Sequence, residues 1–192
     1  MVRLMVIVFV AVASLWAKGA PAMSIGVFAD SLGTDCSLSI PFPGEPVTLF
    51  VVASLQGFED DGVVNESFRI SGVPANWTRD VIVAPGAYLV GDVFGAGGCL
   101  LYANCIVNTP LVLMKLRISP TSSVQQGTTV SVTAISEEAE CFLWSCGPCA
   151  RFGGCSQPAH CYCASEIASR INGACSVAVT SDTWSVMKVL FR

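Results

Sequence analysis

The nine residues Val47–Leu55, VTLFVVASL, decide how this chain folds. Val47, Leu49, Val51, Ala53 and Leu55 occupy alternate positions, with Thr48, Phe50, Val52 and Ser54 between them. Successive side chains of an extended strand point to opposite faces, so a period of two places the first set together on one face. A face that is apolar throughout has to be buried. The stretch therefore reads as a long core strand.

The same period recurs along the chain. Ile25, Val27 and Ala29 alternate with Ser24, Gly26 and Phe28. Phe68 and Ile70 flank Arg69, and Val81-Ile82-Val83 reads as a short buried run. In Leu111–Ile118, Val112, Met114, Leu116 and Ile118 are expected on one face, with Lys115 and Arg117 opposite. Val130, Val132 and Ala134 alternate with Thr129, Ser131 and Thr133. Turn residues separate the runs: Pro41-Phe42-Pro43-Gly44, Asp60-Asp61-Gly62, Gly72-Val73-Pro74 and Pro85-Gly86. No long helical period intervenes, which argues against crossover helices and parallel pairing. The expected class is all-β, an antiparallel β-sandwich of jelly-roll or immunoglobulin-like kind, over residues 23–136.

Ahead of the sandwich, Met1-Val2-Arg3 is followed by the uncharged, apolar stretch Leu4–Trp16 and then by Ala20-Pro21-Ala22. This order reads as a secretory signal peptide over residues 1–22. The stretch is shorter than the roughly 20 apolar residues of a membrane span, and no later segment is long enough, so no span is expected after cleavage. The chain is then secreted, periplasmic or displayed at the cell surface. With 53% hydrophobic and 12% charged residues and a net charge of −4, it is too apolar for disorder. Its ten Lys and Arg are scattered, which excludes a nucleic-acid footprint.

All ten cysteines follow the signal: Cys36, Cys99, Cys105, Cys141, Cys146, Cys149, Cys155, Cys161, Cys163 and Cys175. An even number in an exported chain reads as disulfides, with connectivity open. Cys99 and Cys105 flank five residues that fit a tight loop, so they are expected to bond to each other or to a neighbouring strand. Residues 137–180 form a Gly-, Pro-, Ser- and Cys-rich segment that depends on such cross-links for order. Within it Asn172-Gly173 favours a hairpin, although Ala164, Ile167, Ala168 and Ile171 also fit a helical face. Residues 181–192 are a tail in which Trp184, Met187 and Phe191 could share one face of a short C-terminal helix.

Several motifs touch on chemistry. Cys146-Gly147-Pro148-Cys149 matches the thioredoxin active-site motif, whose first thiol is activated by a following helix. Gly153-Gly154 would stop that helix after one turn, so a structural cross-link is expected and thiol-disulfide oxidoreductase is the enzyme alternative. Cys146, Cys149, Cys161 or Cys163, and His160 could supply zinc ligands, but their spacing is irregular for a ribbon. His160 is the only histidine, which limits any Ser-His-Asp reading. The carboxylate pairs Asp60-Asp61 and Glu137-Glu138 read as solvated turns, and Glu59-Asp60-Asp61 offers a calcium alternative. Asn65-Glu66-Ser67 and Asn76-Trp77-Thr78 match the glycosylation sequon. Trp77, Tyr88, Phe94 and Tyr102 would stack on a sugar or peptide if they shared an exposed face, and otherwise belong to the core. No catalytic residue, metal or cofactor is assigned.

The stretches SIGVFAD, PVTLFVVASL, SFRISGVPANW, GDVFGAGGCLLYANC and PLVLMKLRIS, in that order, resemble the cohesin-like or immunoglobulin-like sandwiches of secreted bacterial proteins. The ending TWSVMKVLFR is similar to the T-W-G-x-x-K-x-L-Y-R ending of a group of exported bacterial proteins; Thr183, Trp184, Lys188, Leu190 and Arg192 match, while Ser185 and Phe191 depart. The resemblance implies an exported sandwich and points to no particular activity. The expected role is structural or adhesive at the cell surface, through a protein or carbohydrate partner, with a carbohydrate- or peptide-binding module as the alternative.

Overall fold

The computed structural model of the protein describes residues 23–40, 43–56, 61–122, 127–135, 150–156 and 161–175. Two β-sheets face each other across one core. The first contains β1 (Ser24–Phe28), β3 (Val47–Ser54), β5 (Thr78–Val83), β8 (Leu111–Ser119) and β12 (Ser165–Ile167), in the order β12-β1-β3-β8-β5. The second contains β2 (Ser37–Leu38), β4 (Val63–Ser71), β9 (Thr128–Thr133), β10 (Arg151–Gly154), β11 (Cys161–Cys163) and β13 (Ser169–Ile171), in the order β11-β10-β4-β9-β13-β2. There β7 (Gly97–Ile106) also pairs β4, and β6 (Ala87–Asp92) pairs β7. No helix occurs among the described residues.

The alternation in Val47–Leu55 is realised. Leu49, Val51, Ala53 and Leu55 are buried between the sheets, and β3 is flanked on both edges, by β1 and β8. Leu116 and Ile118 of β8 meet them in the core together with Phe68, Ile70, Leu100, Val130 and Val132. β8 departs from simple alternation. A bulge between Val51 and Val52 shifts its register, so Leu113 and Met114 both turn inward and Val112 packs on the outer face with Val52, Phe28 and Cys36. Such a bulge sets two residues against one and reverses the faces beyond it. Val81-Ile82-Val83 is not a buried run either: β5 is an edge strand, so Val81 and Val83 pack on the core while Ile82 is 51% exposed.

The turn after β4 requires its glycine. Gly72 has φ +88°, and a Cβ there would run into the carbonyl oxygen of Thr129 on the neighbouring strand. Only a residue without a side chain both adopts that backbone and admits that approach.

The sandwich does not close at residue 136. Ala150, Phe152, Ala164 and Ile171 belong to its core, and β10–β13 complete both sheets. Cys161–Ile171 passes from the second sheet to the first and back, with Ala168 separating β12 from β13. Two short pairings there are parallel, β1 with β12 and β13 with β2. Asn172 sits at φ 49° directly after β13, in the turn the sequence marks. β13 is itself hydrogen-bonded to β9 and β2, and the returning arm expected after Asn172-Gly173 lies outside the described residues. The tail expected to carry a helix lies outside the described residues.

Two disulfides join distant parts of this framework. Cys36 bonds Cys175 with a Cα separation of 5.9 Å, and Cys105 bonds Cys155 with one of 5.8 Å. Cys99 and Cys163 are disulfide-bonded as well. A Cys99–Cys105 loop does not form, because both residues lie on β7. Cys105 is instead taken by Cys155, 50 residues on.

Candidate functional site

Most residues with obvious chemical potential fall outside the described part of the chain. Cys146-Gly147-Pro148-Cys149, His160, Cys141, Glu137, Glu138 and Asp60 lie outside the described residues. Asp61 accepts a hydrogen bond from the Ser156 backbone N–H at 2.9 Å, which ties the turn before β4 to the segment after β10. Among the described residues no group of three His, Cys, Asp or Glu side chains is placed to hold a metal ion.

The four aromatic residues are also dispersed. Trp77 and Tyr102 are buried, at 2% and 7% exposure, and Phe94 packs against the core. The Arg79 guanidinium lies 4.8 Å from the centre of the Phe94 ring and donates to the Ala75 carbonyl at 3.1 Å. Phe94 therefore has an internal cation for a partner. Only Tyr88 stands in solvent, at 67% exposure. The four do not form a shared stacking platform.

The two sequons differ. Asn76 is exposed in the turn before β5, where its amide donates to the Ser122 hydroxyl at 3.3 Å. Asn65 lies inside β4, opposite Leu101 on one side and Gly153 on the other.

Among the described residues one carboxyl is fully enclosed. Glu66 lies on β4 between Leu100 of β7 and Phe152 of β10, both core residues. The Tyr102 hydroxyl donates to its Oε2 at 3.4 Å, while its Oε1 is buried with no partner. Loss of hydration drives the carboxyl well above the usual range, and the Tyr102 hydrogen bond only partly opposes that rise. Burial and the neighbouring carboxyl push the Tyr102 phenol up in turn. The pair is held in place by the sheet, on β4 and β7. Sequence patterning cannot single out Glu66, because nothing local distinguishes an inward glutamate within a strand from a solvated one.

Asp30 has the opposite environment. It lies in the loop between β1 and β2 and accepts bonds from the Leu32, Thr34 and Asp35 backbone N–H groups and from the Thr34 hydroxyl, at 2.6–3.1 Å. Slight burial would raise its pKa, but the hydrogen bonds from Thr34, Asp35 and Leu32 outweigh it and hold the carboxyl below its ordinary value. This cluster shapes a loop by satisfying backbone donors, an Asx-type arrangement.

What remains accessible is sheet surface. On the outer face of the first sheet three cross-strand rows can be followed. Asp80, Arg117 and Thr48 form one, and Ile82, Lys115, Phe50 and Phe28 the next. Val112, Val52, Gly26 and Ile167 form the third. Directly opposed residues share a face. Between β8, β5 and the Ser31 loop this face carries a groove of about 500 Å³, floored by Phe50 and Val112 and bordered by Ile82, Pro85 and Lys115. Neither Lys115 nor Arg117 has an ion-pair partner within 4 Å among the described residues.

No protein-family model matches the chain, and no curated protein does. Solved structures do. The cohesin module of a family 33 glycoside hydrolase from Clostridium perfringens superposes with a TM-score of 0.52 at 9% identity, covering 80% of this chain and 98% of that module. The OlpA cohesin of Clostridium thermocellum, solved with the dockerin Doc918, gives a TM-score of 0.49 at 10% identity, covering 78% of this chain and 99% of that one. The sixth cohesin of scaffoldin B from Acetivibrio cellulolyticus, solved with a Cel5 dockerin variant, gives 0.49 at 14% identity, covering 80% and 99%. Two facing sheets, described residues whose regular elements are all strands, and the match to the Clostridium perfringens module make this a cohesin-like β-sandwich.

Proposed function

We propose that the protein is an exported, non-enzymatic β-sandwich module with a structural or adhesive role at the cell surface, acting through a protein partner. The observation that carries this reading is the way the polar groups are spent. The buried polar side chains among the described residues are Glu66, Ser67, Arg151 and Ser169, and all four lie within strands. Glu66 is sealed in the core, and the Ser169 hydroxyl donates to the Val27 carbonyl across the sheets. None of them lines the groove described above. Among the described residues the sandwich offers sheet surface for contact. The disulfides support an oxidising, extracytoplasmic location, where such bonds persist. The similar Clostridium perfringens domain is a cohesin module of a family 33 glycoside hydrolase.

The test is made on the full chain expressed in a bacterium. Impermeant surface labelling and cross-linking should find it outside the cytoplasm with its cysteines oxidised and joined to a protein neighbour. Purified material should not turn over insulin disulfides. A cytoplasmic, reduced protein would overturn the reading. So would insulin reduction that disappears in both Cys146→Ser and Cys149→Ser while melting is unchanged, which would establish the oxidoreductase alternative.

A further inference from the structure

We propose that the groove on the outer face of the first sheet, with Lys115 and Arg117 beside it, is a docking site for an extended acidic segment of a partner protein. The bound segment carries two carboxylates on alternate residues, followed two residues later by an apolar side chain. This rests on the reading of the chain as a protein-binding module and names the chemistry of the partner.

The register determines the pattern. Lys115 and Arg117 are two apart on β8, on the exposed side of the strand. Their backbone positions are therefore about 6.6–6.8 Å apart. An extended peptide repeats its own side chains at the same interval, so carboxylates at two alternate residues come opposite both cations at once. Continuing along β8 past Lys115, the outer face next presents Val112 and the apolar floor of the groove, because the bulge turns Leu113 and Met114 inward. A third alternate side chain of the peptide meets that floor and needs to be apolar.

Charge explains the choice of an acidic partner. The chain as a whole has a net charge of −4, so two adjacent exposed cations are a local exception. Asp80 is opposite Arg117 across the strand pair but makes no ion pair with it within 4 Å. Lys115 has only Phe50 and Ile82 as cross-strand neighbours. It is thus the less compensated of the two cations and the anchor. Ile82, 51% exposed at the rim, gives the groove its outer wall. The groove lies within the usual size range of binding pockets, roughly 300–1,000 Å³.

The probe is a fluorescein-labelled, end-blocked heptapeptide in which aspartate, aspartate and leucine alternate with serine, titrated into the full chain and read by anisotropy. The expected result is saturable binding, weakened about tenfold or more by Lys115→Glu, as loss of a charge-assisted contact implies. Ile82→Glu should weaken it similarly, added salt should weaken it, and Tyr88→Ser on the other sheet should leave it unchanged. All three substituted positions are exposed, and unchanged melting will confirm that the variants fold. Absence of saturable binding overturns the proposal. So does equal binding of a peptide with serine in place of leucine, which would reduce the site to non-specific charge. Sedimentation showing a dimer that Lys115→Glu dissolves would make the occupant a second copy and also overturn it. If surface cross-links to a protein neighbour survive in Lys115→Glu while peptide binding never appears, the module reading stands and this face is excluded.

Discussion

Replacing Glu66 with glutamine should remove a pH dependence that the wild-type sandwich carries. Glu66 is enclosed in the core with Oε1 unpartnered and Oε2 bonded only to Tyr102. Burial raises its pKa well above the ordinary 4.5. Below that ordinary value both the folded and the unfolded chain hold the proton, and the acid group costs no extra stability. As pH rises towards the elevated folded value, the unfolded chain releases its proton and the folded chain keeps it. Folding must then take up one proton, and stability falls by about 1.4 kcal/mol per pH unit. Above the folded value the slope ends and the full cost remains. Glutamine is nearly isosteric and does not ionise, so Glu66→Gln should match wild type near pH 4 and exceed it increasingly towards pH 8. Urea unfolding at half-unit pH steps between 4 and 8.5 measures this directly. Asp30, whose pKa is depressed, contributes in the opposite sense: its stabilisation is present above the ordinary carboxylate range and is lost as pH falls through its lower folded value. It is common to both proteins and cancels in the difference. Parallel pH profiles for wild type and Glu66→Gln, or a glutamine variant less stable at pH 8, would refute the claim that a neutral acid sits in this core.

Cys105→Ser should destabilise the fold by about 2–4 kcal/mol, since closing the 50-residue loop to Cys155 is worth about 4 kcal/mol on chain entropy alone; denaturant melts should show Cys155→Ser and the double variant losing the same amount. Gly72→Ala should cost about 2–5 kcal/mol, combining a left-handed backbone with the clash against Thr129, and a thermal melt within a degree or two of wild type would contradict that. Phe68→Ala, at a fully buried site, should cost about 3–5 kcal/mol. Tyr88→Ser, on the exposed edge strand β6, should stay within about 0.5 kcal/mol, so equal losses in the two would mean the faces are assigned wrongly.

The sequence by itself determined the class of fold and its central strands. Val47–Leu55 and Leu111–Ile118 alternate over enough residues that only a half-buried strand satisfies them, and turn residues bound them on both sides. It also placed the turns at Gly72 and Asn172, where the backbone does take positive φ. Other elements carried no such signal. β6 and β7 escape because Gly91, Gly97 and Gly98 dilute the alternation, and β10–β13 because three or four residues are too few for a period to show. The bulge that sends Val112 outward, the partners Cys175 for Cys36 and Cys155 for Cys105, and the enclosure of Glu66 were decided only when the sheets packed. Each depends on residues 34 or more positions apart meeting in space. Local patterning reports which side of a strand a residue takes. Whether that side meets solvent, another sheet or a distant cysteine is settled by tertiary contact, because burial and cross-linking are properties of the assembled layers.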